Sequence, residues 1–241
     1  MQWRWFWAGA GLWTVGVALK CAIALPLNHV FFDKNGHAVG WKLCIGSVYC
    51  GLMTGVFEIG VTLAAALIWR RLAAEPARAV AVGLGAGAFE ALLLGLAASV
   101  GSLVALASGQ TELALKSLAG IGAHTPLLWL AGPVERAISI LAHTAARVFV
   151  LRAVAGRRWL GFWAGFSWLS AIDLLAGAAL LTGMTTSCSL WLIELMILPF
   201  GVLSVPLTRW AVRRWPTTTA SANDSEPPAP QPGVTTLMKT N

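Results

Sequence analysis

Six long, uninterrupted apolar stretches dominate this 241-residue chain. They cover roughly residues 3–26, 42–69, 78–108, 126–154, 159–183 and 187–212. About 20 apolar residues cross the core of a bilayer, so each stretch is long enough to span it. The longer ones must tilt, break or project beyond the lipid. Composition agrees: 57% of residues are hydrophobic and only 11% charged, whereas soluble domains carry about a quarter charged residues. An ordinary soluble domain is excluded, and so is disorder over most of the length. An outer-membrane β-barrel is excluded too, because the stretches are continuous and rich in Ala, Leu and Gly rather than short and alternating. The expected fold is all-α: a polytopic transmembrane helical bundle of about six spans, one domain over residues 1–215.

The formal charge of +7 reads as a topology signal rather than a nucleic-acid surface, because the arginines cluster beside apolar spans. Arg4 precedes the first span, Arg70, Arg71 and Arg78 flank the second loop, and Arg152, Arg157 and Arg158 fill the fourth. Arg213 and Arg214 follow the last span, while the intervening loops are poorer in cations. This alternation predicts both termini on the cytoplasmic side of a bacterial inner membrane. The first stretch reads as a retained anchor rather than a signal peptide, with Lys20 expected to snorkel toward an interface. Residues 216–241, rich in Pro, Ser and Thr, cannot bury enough apolar surface to order themselves and are expected to form a disordered cytoplasmic tail.

Cys21, Cys44, Cys50 and Cys188 form no CxxC pair and read as small hydrophobes. Gly51/Gly55, Gly83/Gly87 and Gly161/Gly165 are GxxxG pairs, which let helix backbones approach closely. They serve either packing within one chain or homodimerisation.

Five of the ten acids lie inside apolar stretches: Glu58, Glu90, Glu135, Asp173 and Glu194. An unpaired charge at the bilayer centre costs roughly 2.5–3.5 kcal/mol or more, so such residues face the bundle interior or a wet cavity and mark functional sites. Glu58, Glu90, Glu135 and Asp173 are expected to line one shared polar cavity, joined by His143. Glu194 stands nearer a loop and reads equally as a structural acid. Glu135 and His143 are separated by about 12 Å of helical rise, with Ser139 placed to link them. Arg136 is expected to pair with an acid from another helix. His29, His37 and His124 lie at loops or span edges and read as solvated or interfacial.

Several of these segments resemble the YhfC family, a bacterial group of intramembrane proteases distantly similar to CAAX-processing, bacteriocin-processing and PrsW-type membrane proteases. Residues Gly83-Leu84-Gly85-Ala86-Gly87-Ala88-Phe89-Glu90 resemble a GxGHGxxE pattern. Pro133-Val134-Glu135-Arg136 with His143 resembles PxERxxAxxxH, Phe57-Glu58 resembles FEExxR, and Leu169 with Asp173 resembles HxxxD. The similarity covers about residues 50–180. It implies a helical-bundle endopeptidase acting on a membrane protein or peptide, with Glu58, Glu90, Glu135, His143 and Asp173 as catalytic residues. It leaves the cofactor open, a divalent metal such as zinc included. Glu90, Glu135, His143 and Asp173 would supply the three ligands of a metal site only if their helices converge.

The departures form a pattern. Ile59, Thr62, Ala86 and Leu169 stand where the family pattern has Glu, Arg, His and His. Thr62, Ala86 and Leu169 each lie four residues from a retained acid, on the same helix face. Glu58, Glu90 and Asp173 have therefore each lost the expected partner on their own helix. Two expectations follow: a peptidase whose site is impaired, or a non-enzymatic binder, carrier or pseudoprotease built around an acidic cavity.

Overall fold

The computed structural model describes residues 3–31, 38–109 and 111–216. The expected tail after residue 216, and His37, lie outside the described residues. Six helices are long and apolar enough to cross a membrane. In chain order the long elements are α1 (Trp3–Phe31), α2 (Trp41–Thr54) continued by α3 (Gly60–Ile68), α4 (Pro76–Ala107), α6 (Leu128–Gly156), α7 (Trp159–Leu181) and α9 (Leu190–Arg213). Two short helices complete the described residues: α5 (Thr111–His124) and α8 (Met184–Ser187). The predicted spans therefore match in number and shift by a few residues at their ends. The third loop carries α5.

Helix termini follow local chemistry. Pro76 opens α4 at the first turn, where its missing N–H is an orphan in any case. Positive φ at Arg157 (51°) closes α6, and a positive-φ Gly183 (72°) separates α7 from α8. The second span is not one regular helix. Between α2 and α3, residues Gly55–Ile59 form a π-helical turn, a device that re-aims one side chain in an otherwise continuous helix. The turn buries Gly55, Glu58 and Ile59, and the Glu58 side chain is 4% exposed.

Helix α6 is the central element. It packs against α4, α7, α9 and α3, and its second half is buried from Ala142 through Leu151. All three GxxxG pairs make close contacts within the chain. A Cβ on Gly83 would come 2.6 Å from the Cα of Thr144, and one on Gly87 2.7 Å from the Cα of Ile140. Those distances, below any real Cβ contact, show α4 pressed backbone to backbone on α6. Gly51 and Gly55 bring the second span against Ser170 of α7 in the same way, and Gly165 faces the Ala146 backbone of α6.

Packing is uneven along the membrane normal. At the arginine-rich end, Trp5, Leu72, Ala79, Val82, Leu151, Val154 and Ala211 form one apolar core. Beyond Ala91, by contrast, α4 exposes Leu92, Leu94, Leu96, Val100, Leu103 and Val104. A second core, on the α7 side of α6, gathers Ile59, Ile138, Ala142, Ala146, Val150, Leu169, Ile172 and Ile197.

Candidate functional site

Between these two cores lies a buried cluster of charges drawn from α1, the π turn, α4, α6 and α7. Its centre is His143, 4% exposed. One ring nitrogen, Nε2, lies 2.7 Å from Glu90 Oε2. The other, Nδ1, lies 2.6 Å from Nη1 of Arg147, one helical turn further along α6. Arginine only donates hydrogen bonds. Nδ1 must therefore accept, and the ring proton sits on Nε2 and is donated to Glu90. This assignment follows from the partners on each side of the ring.

Glu90 stands where α4 leaves the packed region. Its Oε2 also accepts from the Trp13 indole Nε1 at 2.9 Å, and its Oε1 accepts from Ser139 Oγ at 3.1 Å. Arg136 Nη1 lies 3.6 Å from the same Oε1. The carboxylate is thus held by α1 and α6 rather than by its own helix.

Glu58 is held from two sides. Lys20 Nζ donates to its Oε1 at 2.8 Å, and Arg147 Nη2 lies 3.8 Å from its Oε2. The Lys20 ammonium also donates to Thr54 Oγ1 at 2.9 Å and lies 3.7 Å from Asp173 Oδ2. Thr54 donates in turn to Asp173 through a short hydrogen bond. Lys20 therefore sits among three oxygens, donating hydrogen bonds to two of them and pairing electrostatically with the third. The expectation that Lys20 snorkels to an interface is overturned. A partner for Glu58 and Asp173 is available inside the bundle, and pairing there removes the cost of an isolated charge in lipid.

Three carboxylates, Glu58, Glu90 and Asp173, thus meet three cations, Lys20, Arg147 and Arg136. The acids lack partners on their own helices, as the sequence implies, yet none is alone, because the partners arrive from other helices. Glu58, Glu90 and His143 bring one ligand atom each to within 4.8 Å of one another, and Asp173 is joined to them through Lys20. Glu135 is placed differently. It pairs closely with Arg136, its sequence neighbour, and its side chain is 44% exposed. Arg136, expected to pair with an acid from another helix, reaches Glu90 on α4 and also holds Glu135. Ser139, expected to bridge Glu135 and His143, donates to Glu90 instead. Glu194, on α9, is buried, and its Oε2 has no hydrogen-bond partner among the described residues.

The four altered positions have clear environments. Ile59 and Leu169 are 0% and 2% exposed and lie in the same apolar core. Two positions that are polar in the family pattern have thus become one hydrophobic contact region, and such exchange of a buried polar pair for aliphatic side chains is often stabilising. Ala86 is fully buried. Thr62 returns its hydroxyl to the Glu58 carbonyl at 2.8 Å.

Two members of the charged cluster escape sequence reasoning, Lys20 and Arg147. Arg147 is fully buried, and its signal was available: it lies inside an apolar stretch and one turn from His143. Long cations near span ends ordinarily sit at an interface, and that ordinary role is the one Lys20 suggests in sequence.

A divalent ion needs three free ligand lone pairs and an open position. The count of donors near the centre is right, but their chemistry is not. A metal on Nε2 of His143 requires the ring proton on Nδ1, ordinarily donated to an acceptor; here Nδ1 faces a guanidinium. Glu58 Oε1 already holds an ammonium. Among the fully buried oxygens of the centre, Glu58 Oε2 has no hydrogen bond to the described residues, and its neighbour is Arg147, whose Nε and Nη2 are likewise without hydrogen bonds there. In this arrangement the residues present do not fit a catalytic metal ion.

No curated protein and no solved structure matches the chain. One family model does, described as YhfC intramembrane metalloprotease, and it matches residues 1–197. The match takes in α1, with Trp13 and Lys20, as well as the helices carrying the acids. On that extent of agreement the chain belongs to the YhfC intramembrane metalloprotease family.

Proposed function

We propose that this protein is a non-hydrolytic member of its family. It keeps the intramembrane protease bundle, and a carboxylate–cation cluster stands in place of the hydrolytic centre. Its task is then to hold a membrane-embedded protein segment without cutting it. The observation that carries this reading is the state of His143, both of whose ring nitrogens are engaged. A general base needs a free lone pair within hydrogen-bond reach of its water, and Arg147 occupies the only one on that ring. Lys20 supports the same reading, because it places a tethered cation among the acids that a metal would need. The replacement of two polar family positions by Ile59 and Leu169, packed in one core, removes a second potential source of ligands.

One observation favours a second reading, in which hydrolysis persists without a metal. Glu58 Oε2 and Arg147 Nη2 face one another at 3.8 Å with no hydrogen bond to either among the described residues. A carboxylate beside a guanidinium is a chemically suitable pair for activating water and stabilising an oxyanion. The two readings separate in one assay. Full-length protein in liposomes is incubated with a mixture of transmembrane peptides, with and without zinc, and products are read by mass spectrometry. The first reading predicts no cleavage by the wild type under either condition. Cleavage that is lost in Glu58→Gln overturns it and supports the second.

A further inference from the structure

The arginine-rich end of the bundle carries a cavity remote from the charged centre. It measures about 600 Å³ and lies between the ends of α6, α7 and α9. Three guanidiniums line it, Arg152, Arg158 and Arg214, with Phe149, Leu160 and Trp210 as its larger apolar walls. A second groove of about 490 Å³, containing Arg209 and Arg213, shares Trp210 and Arg214 with the first.

The positive-inside rule accounts for arginines at this end but not for their convergence. The Arg152 guanidinium carbon lies 4.6 Å from the Trp210 ring centroid, and that of Arg214 lies 5.5 Å from it. Arg152 Nε donates to the Arg214 carbonyl at 3.1 Å. That bond and the indole fix the guanidinium while leaving its terminal nitrogens free for an anion. Among the described residues no carboxylate lies within ion-pair distance of Arg152, Arg158 or Arg214. Three like charges gathered in one cavity repel one another until an anion enters.

The remaining walls decide the anion's class. Leu160 is 82% exposed and Trp210 is exposed too; Trp159 and Trp163, outside the cavity but flanking Leu160 in the sequence of α7, are both 58% exposed. Exposed indoles at a span end mark the headgroup level of a bilayer. A phosphate drawn in by the arginines would have apolar surface directly beneath it.

We propose that this cavity is a binding site for an anionic glycerophospholipid, its phosphodiester held by Arg152, Arg158 and Arg214 and its acyl chains lying along Leu160 and Phe149. Basic pockets between transmembrane helices are suited to such headgroups. The site is independent of whether the centre hydrolyses peptides.

The test uses the full chain in mild detergent, titrated with phosphatidylglycerol or phosphatidylcholine, with retained lipid counted by native mass spectrometry. Wild type should retain phosphatidylglycerol at least about tenfold more strongly, the equivalent of one to two headgroup–arginine contacts. At about fivefold per arginine, Arg152→Gln with Arg214→Gln should lower that retention roughly thirtyfold. Arg214→Gln alone, at an exposed position that folding tolerates, should lower it roughly fivefold. Arg70→Gln with Arg71→Gln, at the same end but outside the cavity, should leave it unchanged. Equal loss in this control, or undiminished retention in the Arg214 variant, overturns the proposal in favour of diffuse surface charge. Displacement of the lipid by millimolar inorganic phosphate would overturn it in favour of a soluble phosphate ligand.

Discussion

Replacing Lys20 by Met removes the cation that joins Glu58 to Asp173 while preserving the length and apolar stem of the side chain. Breaking a buried ion pair by deleting one partner costs roughly 3–5 kcal/mol. Two structural facts lower that figure. The Lys20 side chain is 23% exposed, and Arg147 remains 3.8 Å from Glu58. We therefore expect a loss of about 2–3 kcal/mol. For a chain of this size that corresponds to roughly 2–4 °C per kcal/mol, a fall of about 4–12 °C in thermal midpoint, read by fluorescence-detected unfolding in detergent. The diagnostic step is the double variant. Lys20→Met with Glu58→Gln removes both charges and leaves neither uncompensated, so it should be less destabilised than Lys20→Met alone. A coupling of at least about 1 kcal/mol is expected for groups in direct contact. Strictly additive losses, or a Lys20→Met protein as stable as wild type, would refute the claim that this lysine neutralises the buried acids.

Other predictions follow from the same geometry. Gly87→Ala places a methyl 2.7 Å from the Cα of Ile140 and 3.2 Å from the Cβ of His143. Overpacking of this kind costs roughly 1–3 kcal/mol, so the thermal midpoint should fall, whereas Gly101→Ala, inside α4 with open space around it, should leave it unchanged or raise it slightly, since alanine is favoured over glycine in a helix by roughly 0.5–1 kcal/mol. Restoring the family pattern with Ala86→His and Leu169→His, in the Lys20→Met background, should raise bound zinc measured by elemental analysis from near none toward one per chain. For topology, a cysteine-free protein carrying Ala155→Cys should react with an impermeant maleimide only in inverted vesicles. Val39→Cys, 82% exposed at the opposite end, should react only in intact cells.

Much of this architecture is legible in the sequence, because its signals are long and redundant. Six apolar stretches determine the number of spans, and the GxxxG pairs mark the faces along which α4 and α7 meet their neighbours. The acids are legible for a physical reason: a carboxylate in lipid is expensive enough that its presence alone places it in the interior. The directions of the cations are not legible, because Lys20 and Arg147 obey the same composition rule as topology signals. Only the fold shows that Lys20 points inward. The π turn at Gly55–Ile59 is equally hidden, since its residues differ little from ordinary helical ones, and it decides that Glu58 reaches the centre. Glu135 shows the opposite failure. Sequence spacing groups it with His143, but the neighbouring Arg136 captures it near the cluster's edge. Removing His143 is also more damaging than a wet cavity would imply, because Arg147, fully buried, would lose its closest partner.

The proton on His143 tests the central claim most directly. Protein labelled with nitrogen-15 in histidine, in nanodiscs supplied with zinc, gives separate signals for protonated, bare and metal-bound ring nitrogens, and comparison with His143→Gln identifies the relevant ring. The expected result is a metal-free ring with its proton on Nε2, unchanged by zinc, because Arg147 donates to Nδ1 and Glu90 accepts from Nε2. A ring protonated on Nδ1 with Nε2 shifted by zinc would contradict it, and would restore this centre to the metal-dependent chemistry named for its family.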